Sequence, residues 1–506
     1  MVRRGQKLAC PPSPQPATFR FKKNFTGTLD VFQQLWRQVE VSFGQQRVAD
    51  RAQALALSSL LCLGRHTITG MLTTCGCEFL DWGAAYRIFS EERLPIDDLF
   101  AVIRRAVLAE LPPQAPLSVA LDDTLLRKSG TRVPGVGWRR DPLGPHFQTN
   151  FVLAQRCLQL SASIPLSDRC FRLVPIAFRH APTATKPSPK ASAEQLQQYR
   201  SEARALRLSL VAAQQIIALR DFLDAEPNGL QRILHLYVDG GYVNATVLKK
   251  LPPRTTLIGR MRKDAKLYFL PEPASLSQRG RRRRYGAVAP TPEQVRTDDT
   301  RPWITLEISV SGAPHQMRVK SLGPVLWRTA GLAHVLQMVV IAPLSYRLRK
   351  GAKQLYRRPA FLVCTDPQMD LRTIVQGYVQ RCDIETNFRE QKTLLGVGQA
   401  EVRNAHSAET VPAFQVASYA MLLLASLRAT GESDNAADRL PPPKWNAASK
   451  APRFTTARAI NQLRAELWGK ALGLTNFSDF VAARTSATKP EKFLPDLPSA
   501  VLYAVN

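Results

Sequence analysis

The chain has 506 residues, of which 45% are hydrophobic, and this apolar content excludes a disordered protein. Lys and Arg number 69 against 40 Asp and Glu, so the formal net charge is +29. So large an excess favours a polyanionic partner over plain solubility. Nucleic acid is the first candidate, and an anionic membrane surface is the second. The length allows two to four domains.

Membrane and export signals are weak along the chain. The most apolar run, from Val411 to Leu427, contains Gln415 and Ser418 and is shorter than the ~20 residues that a spanning helix needs. No apolar stretch follows the basic N-terminus, so a signal peptide is not expected. The eight cysteines show no zinc-binding spacing. We therefore expect free thiols and a cytoplasmic, nucleoid-associated bacterial protein without a membrane partner.

The first 110 residues are predicted to be helical after a basic, proline-rich arm at 1–17. Helical spacing of apolar residues predicts helices from Leu29 to Phe43 and from Ala52 to Leu63. Gly64-Arg65-His66 interrupts the pattern before another short helix. This corner fits a helix-turn-helix as well as an ordinary helical bundle. We interpret residues 1–110 as a DNA-end-binding domain.

An α/β pattern begins near residue 111 and continues to residue 263. Apolar runs bounded by turn residues predict strands at Leu117–Leu121, 147–160, 170–178, Ile233–Val238 and Thr255–Arg260. A long amphipathic helix is predicted from Ala193 to Leu223. Asp122-Asp123 follows the first strand, and Asp239 follows the fourth.

The remaining chain divides into three predicted segments. Residues 264–365 contain an arginine cluster and short β-like runs, which predict a β-rich insertion. Residues 366–430 return to the core with a helix that Asp370 caps and Gly396 ends. Residues 431–506 are predicted to be a proline-containing linker and a C-terminal helical region near 453–484.

Four functional side chains lie on one stripe of the predicted helix after Asp370. At ~100° per residue, Tyr378, Arg381, Glu385 and Lys392 fall close to one line. A hydroxyl, a guanidinium and an ammonium along that line suit a phosphate backbone. Glu385 is then placed to hold a metal ion.

Three carboxylates from separate elements predict a metal-dependent reaction. Asp123, Asp239 and Glu385 supply the hard oxygen ligands that suit two Mg²⁺ ions, with Mn²⁺ as a substitute. Asp122 and Asp123 point to opposite faces of a strand, so only one of them reaches a shared site. The residues alone leave this choice open.

The motif Tyr-x2-Arg-x3-Glu-x6-Lys, complete as Tyr378, Arg381, Glu385 and Lys392, resembles the signature of the DDE transposases of the insertion-sequence-four (YREK) group. The Asp123-Thr124 pair resembles that group's first catalytic aspartate region, which favours Asp123 over Asp122. The strand end at Asp239 resembles the second. This resemblance implies a ribonuclease H-like mixed sheet flanked by helices and interrupted by the β-rich insertion.

The resemblance also implies a reaction. A member of the group cuts double-stranded DNA at the inverted-repeat ends of an insertion sequence and joins the 3′-hydroxyls to target DNA, with a hairpin intermediate. Tyr378, Arg381 and Lys392 would contact DNA phosphates, and a homodimer would pair two ends. Phe361 is the candidate for stacking on a flipped base, against a simple core role. Trp303 and Trp327 are the other aromatic candidates.

Three rival functions remain at this stage. A nuclease of the same fold would share the carboxylates but would not transpose. A domesticated protein would bind DNA without cleaving it. A basic scaffold would coat nucleic acid and would need no carboxylates at all.

Overall fold

A computed structural model describes residues 27–504 apart from residues 143, 146, 167–169, 273–282, 350, 433–439, 442, 444–454 and 475–494. The basic arm at 1–17, most of the arginine cluster near 280 and the second half of the predicted 453–484 helical region lie outside the described residues.

The described part of the chain begins with five helices that surround a long central helix. They are α1 (Thr28–Glu40), α2 (Gln46–Leu61), α3 (Ile68–Thr74), α4 (Gly83–Ser90) and α5 (Ile96–Ala109). Helix α1 forms because its apolar residues recur at helical spacing, and it buries Phe32, Leu35 and Trp36 completely or almost so. The side chain of Thr67 caps α3, where the sequence predicted a short helix.

A mixed sheet follows the helices. Its first strands are β1 (Leu117–Arg127), β2 (Gly137–Arg140), β3 (Phe151–Pro165), β4 (Phe171–His180), β5 (Leu234–Val238) and β6 (Thr255–Arg260). Strand β3 pairs antiparallel with β1, β2 and β4, whereas β5 lies parallel to both β1 and β6. An antiparallel meander joined to parallel strands is the predicted ribonuclease H-like arrangement, and the predicted fold class is confirmed.

The strands of the 264–365 segment extend the same sheet. They are β7 (Leu267–Phe269), β8 (Ile304–Val310), β9 (Ala313–Trp327), β10 (Gly331–Ile341), β11 (Ser345–Tyr346), β12 (Leu355–Tyr356) and β13 (Ala360–Cys364). Strand β13 pairs with β6, and β10, β9 and β7 follow outward. The described residues thus form an 11-stranded sheet, with β11 and β12 paired separately.

Further helices flank the sheet. They are α6 (Ala193–Ala205), α7 (Leu208–Ala225), α8 (Ala245–Lys249), α9 (Pro292–Thr297), α10 (Leu371–Arg381), α11 (Asp383–Thr393), α12 (Ala405–Glu432), α13 (Thr456–Trp468) and α14 (Leu497–Leu502). The single helix predicted from Ala193 to Leu223 is wrong, because the chain leaves the helix at Leu206 and Arg207.

Helix α12 is the centre of the helical layer. By length and composition, its segment Ala405–Ala429 could cross a membrane, but 94% of its apolar stretch is buried inside the protein. It contacts α1, α2, α4 and α5 as well as β4. A helix so enclosed by its own chain is typical of a protein core.

Candidate active site

Strand β1 carries Asp122 and Asp123 in its middle. The sequence predicted that this strand ends at the two aspartates, but β1 continues to Arg127 and pairs with β3 throughout. Ala120 packs against Ile384 and Phe388 of α11. Because side chains alternate along a strand, Asp122 shares the face of Ala120 and points to the side of α10 and α11.

Asp239 lies beside Asp122. The last register pair between β1 and β5 is Leu121 with Val238, so the two aspartates are the next residues on adjacent parallel strands. Asp239 keeps an extended backbone. It therefore shares the face of Tyr237, whose ring packs against Gly377 of α10. Both carboxylates thus face the helices that carry the predicted phosphate-binding residues.

Arg381 and Tyr378 complete this cluster from α10. Nη1 of Arg381 lies 3.1 Å from Oδ2 of Asp122, and its guanidinium lies 5.6 Å from the centroid of the Tyr378 ring. The Arg381 side chain is 8% exposed. Its Nε is buried and has no hydrogen-bond partner among the residues that the structure describes. A buried donor of this kind is suited to an anion that enters from outside.

The protein environment disfavours the charged form of the Asp122 carboxylate. Its pKa is raised to about 6, chiefly by burial; the Arg381 guanidinium opposes this rise, and the neighbouring carboxylates of Asp123 and Asp239 add to it. Two carboxylates side by side with one guanidinium leave an excess of negative charge. A bound cation would relieve that excess.

Asp123 lies on the opposite face of β1. Its Oδ1 accepts a 2.6 Å hydrogen bond from the Tyr242 hydroxyl, and its Oδ2 lies 3.6 Å from Nε of Arg156. Tyr242 belongs to the 3₁₀ turn that follows Asp239. Asp123 therefore ties the Asp239 turn to β1 instead of sharing the face of Asp239. The Asp-Thr resemblance favoured Asp123, whereas this geometry favours Asp122.

The predicted single helix over the four-residue signature is interrupted at Cys382. The amide of Cys382 donates to the Val379 carbonyl and the amide of Glu385 donates to the Cys382 carbonyl, so the hydrogen bonds tighten to an i→i−3 pattern there. Tyr378 and Arg381 therefore belong to α10, whereas Glu385 and Lys392 belong to α11. The two predicted helix ends are found: Asp370 caps α10, and Gly396 has a positive φ after α11.

Glu385 is exposed on the first turn of α11. No group of three or more His, Cys, Asp or Glu that could hold a metal ion forms among the residues that the structure describes. The structure thus brings Asp122 and Asp239 together without closing a three-carboxylate cluster around them.

Lys392 lies at the other end of α11, near Arg127. Burial lowers the pKa of Lys392, and the Arg127 guanidinium lowers it further. Lys392 is eleven residues beyond Arg381, roughly 16 Å along a helix. Arg127 is five residues beyond Asp122, roughly 17 Å along a strand. Helix α11 thus follows β1, and the two cations mark its far end.

Buried hydrogen bonds fix α11 to the sheet. Nε2 of Gln391 donates to Oε1 of Gln159 on β3 at 2.8 Å, and Nδ2 of Asn387 donates to the Leu173 carbonyl on β4 at 3.0 Å. Lys128 is buried and donates to the carbonyls of Gly398 and Ala400 at 2.6 Å, which anchors the segment after α11. Sequence reasoning missed these residues and Tyr242, because each acts only through a partner distant in sequence.

The aromatic candidates for base stacking have other surroundings. Phe361 is 6% exposed within β13 and belongs to the hydrophobic core, so it offers no ring face to a base in this structure. Trp303 is half-buried, with Nζ of Lys320 4.5 Å from its ring centroid. Trp327 packs partly buried against the core. The prediction that Phe361 stacks on DNA is therefore not retained.

The donor set at the end of β5 fits a divalent cation in type. Asp122 and Asp239 present hard carboxylate oxygens, which suit Mg²⁺ or Mn²⁺ and not zinc. Burial raises the pKa of the Asp122 carboxyl, so a cation bound beside it would favour its charged form. Glu385 is the carboxylate of the predicted set that the facing helices carry.

Comparison with known families gives one match. The family model described as DDE superfamily endonuclease matches residues 38–331, more than half of the chain. The matched range contains Asp122, Asp123 and Asp239 and ends before α10 and α11. No curated protein matches the chain.

Proposed function

The chain belongs to the DDE superfamily of endonucleases, nucleases that act on DNA with divalent metal ions, and we propose that it is a DNA transposase of the YREK group. The observation that carries this proposal is the pair Asp122 and Asp239 on adjacent parallel strands, with Arg381 of α10 against Asp122. Two carboxylates beside a buried, partly unpaired guanidinium suit phosphodiester chemistry better than they suit simple DNA binding.

The metal ligands we propose are Asp122, Asp239 and Glu385. Asp122 replaces Asp123 in the predicted set, because Asp123 is engaged with Tyr242 and Arg156 on the other face of β1. Bound metal ions would activate the attacking water or 3′-hydroxyl and stabilise the leaving oxygen. The carboxylates of Asp122, Asp239 and Glu385 would supply the negative charge that binds these ions.

The phosphate-binding residues we propose are Arg381, Tyr378 and Lys392. The buried Nε of Arg381 has no hydrogen-bond partner in the described part of the chain, and the guanidinium can donate to a phosphate while it contacts Asp122. Lys392, eleven residues beyond Arg381 and near the far end of α11, adds a second cationic point. A DNA strand laid from the end of α10 along α11 would contact both points.

The individual steps of the proposed reaction come from the resemblance to the YREK group. The enzyme would cut both inverted-repeat ends of an insertion sequence, pass through a hairpin, and join the 3′-hydroxyls to target DNA. A homodimer would hold the two ends together. The +29 net charge and the intact signature from Tyr378 to Lys392 support this assignment.

The test is a cleavage and joining assay. A labelled duplex with the inverted repeat that flanks the gene is incubated with Mg²⁺ and a target plasmid, and the products are separated on a denaturing gel. The proposal predicts cut ends, a hairpin species and labelled plasmid. Cleavage without joined plasmid would favour a non-transposing endonuclease. Binding without cleavage would favour a domesticated DNA-binding protein, and either result would overturn the proposal.

A further inference from the structure

An edge of the sheet near the candidate site exposes large aromatic side chains. Strand β2 is the edge strand next to β3, and its Trp138 is 69% exposed. Phe151, the first residue of β3, is 56% exposed. Phe147, in the connection between the strands, is 92% exposed. Aromatic side chains grouped on a surface indicate a binding role more often than single exposed residues do.

The register places two of these rings on one face with an arginine. Trp138 is opposite Leu153, and Arg140 is opposite Phe151. Paired residues share a face, and so do residues two positions apart. Trp138, Arg140 and Phe151 therefore lie together, and all three are exposed. These three residues are called the Trp138 face below.

The Trp138 face lies on the same side of the sheet as the two carboxylates. Asp122 is opposite Gln159 of β3. Alternation along β3 puts Gln159 on the same face as Leu153 and Phe151. The hydrogen bond from Gln391 of α11 to Gln159 confirms which face this is. Asp122, α11 and the Trp138 face thus form one continuous side of the molecule.

The distance from the carboxylates to this face suits a DNA strand. Arg127 is opposite Ala154, and Ala154 is opposite Gly137, the residue before Trp138. Two strand spacings are roughly 10 Å, and Asp122 lies roughly 17 Å back along β1. The path from Asp122 along β1 and across two strands to Trp138 is therefore roughly 27 Å, which a short stretch of one DNA strand can span.

Rings and a guanidinium together suit bases that have left the duplex. Every base has a π-face that stacks on an aromatic side chain, and an arginine neutralises the adjacent phosphate. The bases of an intact duplex are stacked on each other and offer no such face. We propose that the Trp138 face binds unpaired nucleotides of the DNA strand that runs from the carboxylates along α11. This inference rests on the proposed function for the direction of the strand.

The experiment measures binding of a labelled 20-nucleotide oligothymidine by fluorescence anisotropy in EDTA, over a range of salt concentrations. Loss of stacking in Trp138→Ala or Phe151→Ala should weaken binding roughly five- to 100-fold. The slope of log affinity against log salt should stay unchanged in both variants, because no phosphate contact is lost. Arg140→Ala should instead lower the magnitude of that slope by about one.

Phe269→Ala is the matched control. Phe269 is a 38% exposed aromatic residue on β7, the opposite edge strand of the same sheet, and its variant should bind like the wild type. Unchanged binding by a Trp138→Ala, Phe151→Ala double variant would overturn the inference. An equal loss in the control, or a loss of self-association with no change in oligothymidine binding, would also overturn it.

The proposed function and this inference fail separately. Binding in EDTA requires no cleavage, so a wild type that never cuts DNA can still show the Trp138 dependence. That result would contradict the proposed transposase function but would support the binding of unpaired nucleotides at the Trp138 face. Cleavage that proceeds normally while oligothymidine binding ignores Trp138 would do the reverse.

Discussion

The choice between Asp122 and Asp123 gives the sharpest prediction, because the same Asp→Asn change should affect different properties. At Asp122 it should abolish most cleavage, and at Asp123 it should mainly lower the stability of the fold. Asp122→Asn removes a charged oxygen beside Asp239, and a metal ion contributes several kcal/mol to the transition state. At about 1.4 kcal/mol per tenfold, the rate of cleavage should fall by roughly 10³ or more. DNA binding in EDTA should remain near that of the wild type.

Asp123→Asn should act on the fold and not on the chemistry. An asparagine keeps an oxygen that can accept the bond from the Tyr242 hydroxyl, which is 2.6 Å long in the structure. The loss of negative charge beside Arg156 should cost about 1–2 kcal/mol of stability, and cleavage should stay within about tenfold of wild type.

The assay is single-turnover cleavage of a labelled duplex at saturating Mg²⁺, with thermal unfolding of each variant measured in parallel. Asp264→Asn is the carboxylate control, because Asp264 is an exposed residue paired with the neighbouring Arg262. An inactive Asp123→Asn protein beside an active Asp122→Asn protein would show that Asp123, and not Asp122, is the ligand.

Three further predictions follow from the same geometry. Glu385→Gln should lower cleavage by roughly 10³ while unfolding and DNA affinity stay unchanged, since Glu385 is exposed; normal cleavage would contradict its role. The pKa of Asp122 is about 6, so its proton competes with metal below that pH, and calorimetry should show Mg²⁺ affinity falling about tenfold per pH unit there; an unchanged affinity down to pH 5 would argue against Asp122. Gly377→Ala should cost about 1–3 kcal/mol in thermal unfolding, because a Cβ there would lie 2.0 Å from the Tyr237 ring; Gly64→Ala, with open space around it, is the control.

Local patterns predicted much of the fold. Strand β6 has the predicted bounds of Thr255 and Arg260, since a short apolar run between turn residues has few other solutions. Asp370 caps its helix as predicted, because the cap is a contact within one turn. Strand β1 continues past its predicted end, because a pair of aspartates is typical of a strand end in sequence whereas here partners from other elements stabilise both within the strand.

The candidate site depended on tertiary contacts that the sequence does not reveal. Alternation shows that Asp122 and Asp123 face opposite ways, but only the packing of Ala120 against α11 shows which face is which. The helix break at Cys382 could not be predicted, because no Pro or Gly lies beside it in the sequence. Phe361 and Trp138 show the same limit, since burial of the first and exposure of the second depend on which strands lie beside them.

The central claim is that Asp122 and Asp239 together hold a divalent metal ion. The most direct measurement is Mn²⁺ binding followed by electron paramagnetic resonance, in the wild type and in the Asp122→Asn and Asp239→Asn variants, with uncleavable DNA present. The wild type should capture Mn²⁺, and each variant should leave the ion free in solution at the same concentration. If both variants bind Mn²⁺ as the wild type does, or if the wild type binds none, then Asp122 and Asp239 do not hold the ion.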